Sequence, residues 1–220
     1  MTINLTYNTL VEKILQYLER NDAETTAQVP MFIMLATRRV SKECKTLGLK
    51  DFVYATLTPG VWIYAKPGNW RNTSTITGLN IKPPNTPNNP EFGYKFPINV
   101  ISFSYCERFA PNVTTLGKPL YYADYDYNHW YIAPTPDFAY PIQIGFYQNE
   151  QQLDEQQQTN FLITHAPELL FYASLLEAQP YIKNQEWIAV WKATYTEALD
   201  KFNQEDIMRM FDSYAKREME

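Results

Sequence analysis

Residues 160–178 read NFLITHAPELLFYASLLEA, and their apolar side chains recur at intervals of three and four residues. This spacing places one apolar stripe along a helix, made of Leu162, Ala166, Leu169, Leu170, Ala173 and Leu176. Thr159 or Asn160 is suited to cap the start of the helix, and Pro167 to a kink or a fresh first turn. We therefore predict a helix that buries one face and ends at Gln179-Pro180.

Helical periodicity also occurs on both sides of this stretch. The strongest amphipathic pattern in the chain follows it, at Trp187, Ile188, Trp191, Thr194, Tyr195, Ala198, Leu199 and Phe202. Near the N-terminus, an apolar stripe from Tyr7 to Leu18 predicts a first helix. Pro30 suits the first turn of a second helix, which Gly48 would stop. Two helices are therefore expected at each end of the chain.

Residues 51–150 differ in character, because Pro, Gly, Asn and Thr separate short runs of β-branched and aromatic residues. Such runs are typical of a small antiparallel sheet, and the predicted strands are 52–57, 61–64, 99–105, 129–133 and 142–147. Residues 82–93 hold four prolines among asparagines, which excludes a central strand and predicts an exposed loop. Residues 133–137, APTPD, predict the turn of a hairpin that joins the last two strands.

This order of elements predicts an α+β fold, in which the N-terminal and C-terminal helices form one helical bundle with an inserted antiparallel β segment. The expected divisions are residues 1–50 and 151–204 as the two parts of the bundle, 51–150 as the β insertion domain, and 205–220 as a C-terminal tail. The bundle would be completed only when the two ends of the chain pack together.

The C-terminal tail has an amphipathic pattern of its own. Ile207, Met210, Phe211 and Tyr214 line one face of a predicted helix. In a monomer this segment would extend the bundle or fray, whereas in an oligomer it would dock on a neighbour as a helix in a groove. We take these four residues as candidate protein-interface residues.

The composition restricts the class of protein. Hydrophobic residues make up 45% and charged residues 20% of the 220 residues, as in soluble globular proteins. The aromatic share of 15% fits either a β-rich core or a surface rich in protein contacts. The net charge of −5 argues against a protein that grips nucleic acid by its phosphates. No apolar run is long enough to predict a membrane span, and the N-terminus lacks the pattern of a secretory signal.

Residues that carry chemistry are few. Cys44 and Cys106 are expected to be buried small hydrophobic residues. Asp124, Asp126 and His129 have nearly the spacing of metal ligands, but in a strand His129 would not share the face of the two aspartates, so we expect a solvated hairpin edge. The sequence contains no nucleophile elbow and no glycine pattern that cradles phosphate. We expect no catalytic residue, no cofactor, no metal and no enzyme activity.

The ordered segments NFLI at 160–163, HAPELLFYASLLEA at 165–178, YLERND at 17–22 and WYIAPTP at 130–136 resemble the head-to-tail adaptor (connector) proteins of short-tailed bacteriophages and their relatives. The first two are similar to a helix of that family, the third to its opening helix pair, and the fourth to its hairpin. Residues 70–119 depart from the family, which usually has a compact run beginning with Leu-Pro where this chain has its Pro- and Asn-rich insertion.

The resemblance implies a structural virion protein at the head–tail junction, made and assembled in the cytoplasm of the bacterial host. It implies a homo-oligomeric ring, usually of twelve copies, that stacks on the portal protein and offers a platform to the tail nozzle and tail fibre proteins. The ring would extend the DNA channel, and double-stranded DNA would pass through it without specific binding. An acidic chain suits such a channel because it does not hold the phosphates. No membrane partner is implied.

Two other classes of function stay open. A monomeric carbohydrate- or ligand-binding β module of a virion or surface protein is the alternative, because Trp62, Trp70 or Trp130 could stack on a sugar. A virion hydrolase is the third interpretation, and the sequence offers it no convincing pair of acid and base residues.

Overall fold

The computed structural model describes residues 5–44, 46–80, 94–182 and 187–215, with the backbone alone at 80, 94 and 210–215. These residues have the predicted α+β class, with six α-helices and nine strands among them. The helices are α1 (Tyr7–Leu18), α2 (Ala23–Glu43), α3 (Phe103–Phe109), α4 (Phe161–His165), α5 (Pro167–Ile182) and α6 (Ile188–Ala215). The strands are β1 (Lys50–Thr56), β2 (Ile63–Ala65), β3 (Trp70–Asn80), β4 (Tyr94–Val100), β5 (Leu116–Gly117), β6 (Tyr121–Asp124), β7 (His129–Ala133), β8 (Thr135–Pro136) and β9 (Pro141–Gln148).

The chain forms two compact units. Unit 1 consists of residues 1–49 and 149–220, and unit 2 consists of residues 50–148. Unit 1 contains every helix except α3, whereas unit 2 contains α3 and all nine strands of the described residues.

Helix α1 covers the predicted apolar stripe from Tyr7 to Leu18. The backbone N–H of Thr6 donates to the Thr9 hydroxyl at 2.7 Å, and the Thr6 hydroxyl accepts from the Thr9 N–H at 3.3 Å, which forms a reciprocal capping box. After Leu18, Glu19 adopts a left-handed conformation with φ of 51°, which ends the helix. The predicted apolar stripe is buried in the core of unit 1.

Helix α2 begins earlier than the predicted start at Pro30. Asp22 is its N-cap, and the Asp22 carboxylate accepts hydrogen bonds from the N–H and the hydroxyl of Thr25 at 2.9 and 2.8 Å. Pro30 therefore lies inside the helix, where it removes one backbone hydrogen bond. The buried apolar face on both sides of the proline compensates for that loss. The helix ends at Glu43, not at Gly48.

In the C-terminal region, Asn160 caps α4 by accepting the N–H of Ile163 at 2.9 Å. Pro167 begins a separate helix, α5, which is the second of the two predicted alternatives. The predicted end at Gln179-Pro180 is wrong, because α5 continues to Ile182. A proline this close to the end of a helix disturbs only its last turn. Helix α6 runs through position 205, where we predict the tail to begin.

The core of unit 1 combines side chains from all five of its helices. Its fully buried members include Leu10, Ile14, Val29, Ile33, Leu162, Leu170 and Leu175. A salt bridge of 2.7 Å between Arg39 and Glu177 links α2 to α5 at the surface. Within the described ranges, no helix is both long enough and apolar enough to span a lipid bilayer.

Unit 2 is built on a sheet of seven strands, in the order β1-β9-β3-β4-β6-β7-β2 among the described residues. Neighbouring strands are antiparallel except β4 and β6, which are parallel. Strands β5 and β8 form a separate parallel pair. The register of β3 against β9 shifts twice, between Trp70 and Asn72 and between Thr73 and Thr75, which are the irregularities that bend a strand.

The sheet curls, because its two edge strands are joined by a short connection. β1 ends at Thr56 and β2 begins at Ile63, so residues 57–62 connect the edges. In a flat sheet, the spacings across seven strands would separate the edges by about 29 Å, whereas this connection reaches about 24 Å at most. Val53 of β1 and Tyr64 of β2 accordingly pack against the same hydrophobic core.

The two faces of the sheet carry different clusters. The main core contains Leu57, Ile76, Phe96, Ile98, Tyr122, Trp130, Ile132, Ile142, Ile144 and Phe146. The other face packs under α3, where Cys106, Ala123, Tyr131 and Ala133 are buried together. Alternation along β7 explains the division, because successive residues of a strand point to opposite faces.

Most of the strand predictions are confirmed. Strands β1, β2, β7 and β9 occupy or overlap the predicted segments 52–57, 61–64, 129–133 and 142–147. Strands β3 and β6 were not predicted, although β3 is the longest in the described part of the chain. The predicted loop 82–93 lies outside the described residues.

Two local predictions are wrong. The predicted strand 99–105 ends at Val100, because Ser102 caps helix α3 by accepting the N–H of Tyr105 at 3.3 Å. The predicted hairpin turn at 133–137 instead contains β8, which pairs with β5. Strands β7 and β9 are not neighbours in the sheet, so no hairpin joins them.

Candidate protein interfaces

The acidic and histidine cluster of the sequence lies at the turn between β6 and β7. His129 Nδ1 is 2.9 Å from both carboxylate oxygens of Asp126, and this hydrogen bond is the main cause that lowers the pKa of Asp126. Asp124 instead forms a 2.7 Å salt bridge with Lys66. The three predicted residues therefore do not converge, and the described residues contain no group of three His, Cys, Asp or Glu side chains that could hold a metal ion.

Lys66 fastens this turn to the sheet. Its side chain is 2% exposed, and its ammonium group donates to the carbonyl of Asp126 at 2.9 Å and lies 3.9 Å from the centroid of the Trp70 ring. A charged hydrogen bond and a cation–π contact thus hold the same group. Tyr127, at the tip of the turn, is 75% exposed on this rigid support.

The tryptophans that motivated the sugar-binding alternative do not form an exposed platform. Trp130 is buried, and its indole N–H donates to the Thr73 hydroxyl at 2.9 Å. Trp70 donates to the same hydroxyl at 3.1 Å and is covered by Lys66. Trp62 packs against the cluster under α3. Each indole therefore contributes to the packing of unit 2.

Exposed aromatic rings accumulate on one side of α3. Tyr105 and Phe109 are exposed one helical turn apart, and their rings stack at 6.4 Å with an interplanar angle of 12°. Both rings meet the edge or face of Tyr121, at 5.9 and 4.8 Å. We call these three residues the α3 aromatic surface. Ordered aromatic side chains of this kind are enriched in protein–protein contacts.

Unit 1 has a groove between the end of α1, the end of α5 and the start of α6, with a volume of about 340 Å³. We call it the α1/α5/α6 groove. Leu18 and Trp191 are buried at its base, whereas Tyr17, Trp187 and Val190 are exposed at its rim. An apolar base with an aromatic rim is the composition of a surface that binds another protein.

A second hollow of about 240 Å³ adjoins this groove and shares Tyr17 with it. Leu5, Pro167 and Phe171 contribute to its apolar lining. The rings of Tyr17 and Phe171 meet edge to face at 4.9 Å, so they form a ridge between the two hollows. The apolar surface therefore extends along much of α1.

The predicted tail residues stay a prediction. Ile207 is 53% exposed on α6, and Met208 beside it is exposed as well. The side chains of Met210, Phe211 and Tyr214 lie outside the described residues. Helix α6 continues to Ala215, which keeps these three positions at the helical spacing that the prediction requires.

The two cysteines are buried, and the second histidine packs against a neighbouring aromatic ring. Cys44 and Cys106 are fully buried, as predicted, and burial raises the pKa of the Cys106 thiol to about 11. A thiol with such a pKa carries little thiolate at neutral pH and is a poor nucleophile. His165 ends α4, with its ring 4.8 Å from that of Phe161.

Sequence reasoning missed the exposed residues of the groove and of the α3 aromatic surface. Tyr17 and Val190 are apolar or aromatic residues that lie outside the buried stripes of their helices. An apolar side chain off the stripe of an amphipathic helix is the signal that could have identified them. Tyr105 and Phe109 gave no such signal, because we assigned their segment to a strand or left it without a prediction.

Comparison with known proteins identifies a family to which the chain is similar. The family model described as "SU10 adaptor protein" matches residues 5–217, which is nearly the whole chain and includes both units. No curated protein has a sequence match to the chain.

Proposed function

The chain belongs to the SU10 adaptor protein family, and we propose that it joins the portal to the tail nozzle and tail fibres as a subunit of an adaptor ring. Members of this family are structural phage adaptor proteins, so the chain is a component of a phage particle at the head–tail junction. The family match over residues 5–217 is the observation that carries the proposal.

The ring would contain identical subunits, with twelve as the expected number, and it would extend the DNA channel of the portal. A ring closed by rotation needs two different surfaces on each subunit, one for each neighbour. The α1/α5/α6 groove and the exposed Ile207 face of α6 supply two such surfaces in unit 1. The α3 aromatic surface and the Tyr127 turn supply further contact area in unit 2.

Double-stranded DNA would pass through the ring without specific binding. The net charge of −5 disfavours lasting contacts with phosphates, because such contacts require clustered Lys and Arg. This property supports a channel through which DNA slides. Assembly would take place in the cytoplasm of the bacterial host, and the role would be structural and not enzymatic.

We propose that different segments of the chain have different structural roles. Residues 1–50 and 151–204 would form the helical bundle, 51–150 the inserted β domain, and 205–220 a tail that contacts a neighbouring protein. Ile207, Met210, Phe211 and Tyr214 are the proposed contact residues of that tail. The exposure of Ile207 and the helical backbone that continues to Ala215 support this assignment.

The proposal is tested by measuring mass in solution by light scattering, first for the chain alone and then after mixing with the portal ring of the same phage. We expect about one copy of the chain to bind per portal subunit, because stacked rings share a symmetry axis. A chain that stays monomeric and does not bind the portal would contradict the proposal.

A matched pair of variants makes this test specific. Ile207→Asp introduces a charge at the proposed contact, and we expect portal-bound assembly to weaken about tenfold or more. Leu116→Asp introduces the same charge at a side chain of equal exposure, 53%, in unit 2. Equal losses in both variants would remove Ile207 from the proposed interface.

A further inference from the structure

Two apolar surfaces of unit 1 lie at opposite ends of the same helix. The α1/α5/α6 groove includes Val190 and Trp191 in the first turn of α6, and the exposed pair Ile207 and Met208 lies near its other end. Helix α6 contains no proline and no glycine, which are the common causes of a sharp kink. The separation of the two surfaces is therefore fixed by the length of the helix.

That separation excludes a contact between the two surfaces of one copy. Val190 and Ile207 are seventeen residues apart along the helix, which corresponds to about 25 Å at the rise of an α-helix. The Ile207 face cannot bend back into the groove of its own chain without breaking α6. If the two surfaces meet, they meet between copies.

The groove and the C-terminal turns of α6 are suited to each other in length and in sequence spacing. Helical peptides bind grooves through apolar side chains at positions i, i+3, i+4 and i+7, which is the spacing of Ile207, Met210, Phe211 and Tyr214 in the sequence. The groove and the hollow that adjoins it follow α1, whose twelve residues span about 18 Å. That length accommodates the two helical turns that carry the four residues. Gln16 and Gln179 provide a polar rim.

We infer that the α1/α5/α6 groove of one copy binds the C-terminal turns of α6 from a neighbouring copy. The contact is heterologous, since a different surface is used on each side, and its repetition closes a ring. The inference rests on the proposed function in one respect, because it names the contact between subunits of the proposed ring.

Disulfide cross-linking in the full chain tests the contact. Val190→Cys and Ile207→Cys are combined, since both side chains are about half exposed, at 52% and 53%. Under mild oxidation we expect covalent dimers, trimers and larger species that neither single variant forms. The native Cys44 and Cys106 are fully buried, so they contribute little background. Ile207→Cys combined with Leu116→Cys is the matched control for random collision.

The experiment distinguishes failure of the inference from failure of the proposed function. Oxidation is carried out on the concentrated chain and on the chain bound to the portal ring, and portal binding is measured separately in the reduced state. Three results would overturn the inference. They are the absence of cross-links in both samples, cross-links that stop at the dimer, and cross-links formed with Ile207→Cys alone. Portal binding without cross-links would overturn the inference alone, whereas cross-links without portal binding would overturn the proposed function alone.

Discussion

At the scale of single residues, Tyr195 connects two helices of unit 1 through its hydroxyl group. The ring is buried on α6, and the hydroxyl donates to a carboxylate oxygen of Glu43 at the end of α2. Burial raises the pKa of Tyr195 far above its ordinary value, and the hydrogen bond to Glu43 raises it further. The folded state therefore favours the neutral phenol.

This shift predicts how Tyr195 affects stability at high pH. Because the folded pKa is raised, its stabilising contribution is complete below pH 10, the ordinary pKa of tyrosine, and is lost as the pH rises above that value. We expect Tyr195→Phe to lower the free energy of unfolding by about 1 kcal/mol at pH 7.5. At pH 11 this difference should shrink by about 1 kcal/mol.

The difference in free energy of unfolding is measured by urea denaturation at the two pH values, with the helical signal followed by circular dichroism. Tyr127→Phe is the control. Because Tyr127 is exposed, removal of its hydroxyl should change the free energy of unfolding by less than about 0.5 kcal/mol at either pH. A Tyr195→Phe deficit that stays constant or grows at pH 11 would contradict the argument.

At the scale of secondary structure elements, Gly78 allows β3 and β4 to pack closely. A Cβ atom at Gly78 would lie 2.1 Å from the Phe96 ring, which is buried in the main core of unit 2. Gly78→Ala should lower the free energy of unfolding of unit 2 by about 1–3 kcal/mol, because the ring must move within a packed core. Chemical denaturation followed by tryptophan fluorescence measures the loss.

Two further variants decide whether the Phe96 ring is the cause. Gly68→Ala adds the same methyl group where, among the described residues and apart from its chain neighbours, no atom lies within 4 Å, so its effect should stay within about 0.5 kcal/mol. Phe96→Leu removes the ring, and the Gly78→Ala loss should be smaller in that background. Equal losses for Gly78→Ala with and without Phe96 would show that the close contact is not responsible.

Local sequence patterns were sufficient to predict several of the secondary structure elements. Strands β7 and β9 and helix α1 were predictable, because runs of β-branched and aromatic residues mark the strands and an apolar stripe marks the helix. The segment at 99–105 was misassigned because Val100, Ile101 and Phe103 continue an apolar run, while the Ser102 cap starts a helix of only seven residues. Strand β3 was missed because its sequence contains several threonines and other polar residues, which gives weak apolar alternation.

Contacts between distant segments could not be read from local patterns. The pairing of residues 135–136 with Leu116–Gly117 joins segments about twenty residues apart, whereas turn chemistry suggests only a local hairpin. For the candidate interface, helical periodicity was sufficient to nominate Ile207, Met210, Phe211 and Tyr214. The α1/α5/α6 groove could not be nominated, because it exists only after three helices have packed together.

At the scale of the whole molecule, the chain enters and leaves unit 2 at neighbouring positions. Lys50, the first residue of the unit, pairs with Tyr147, which precedes the last residue Gln148. Paired residues of antiparallel strands lie about 5 Å apart. The two chain crossings are therefore close enough for a short linker to replace the whole unit, as is common for inserted domains.

Excision of unit 2 is therefore expected to leave two folded pieces. Residues 50–148 expressed alone should unfold cooperatively with a β-rich spectrum, because their two clusters are formed by their own side chains. The remaining chain, with Leu49 joined to Asn149 by about three glycines, should keep a helical spectrum, since among the described residues the core of unit 1 is formed by unit 1 alone. Circular dichroism and amide NMR dispersion measure both outcomes. The control is the full chain with the same linker inserted beside an intact unit 2. If the helical piece unfolds on excision while this control stays folded, unit 1 depends on the sheet for its stability.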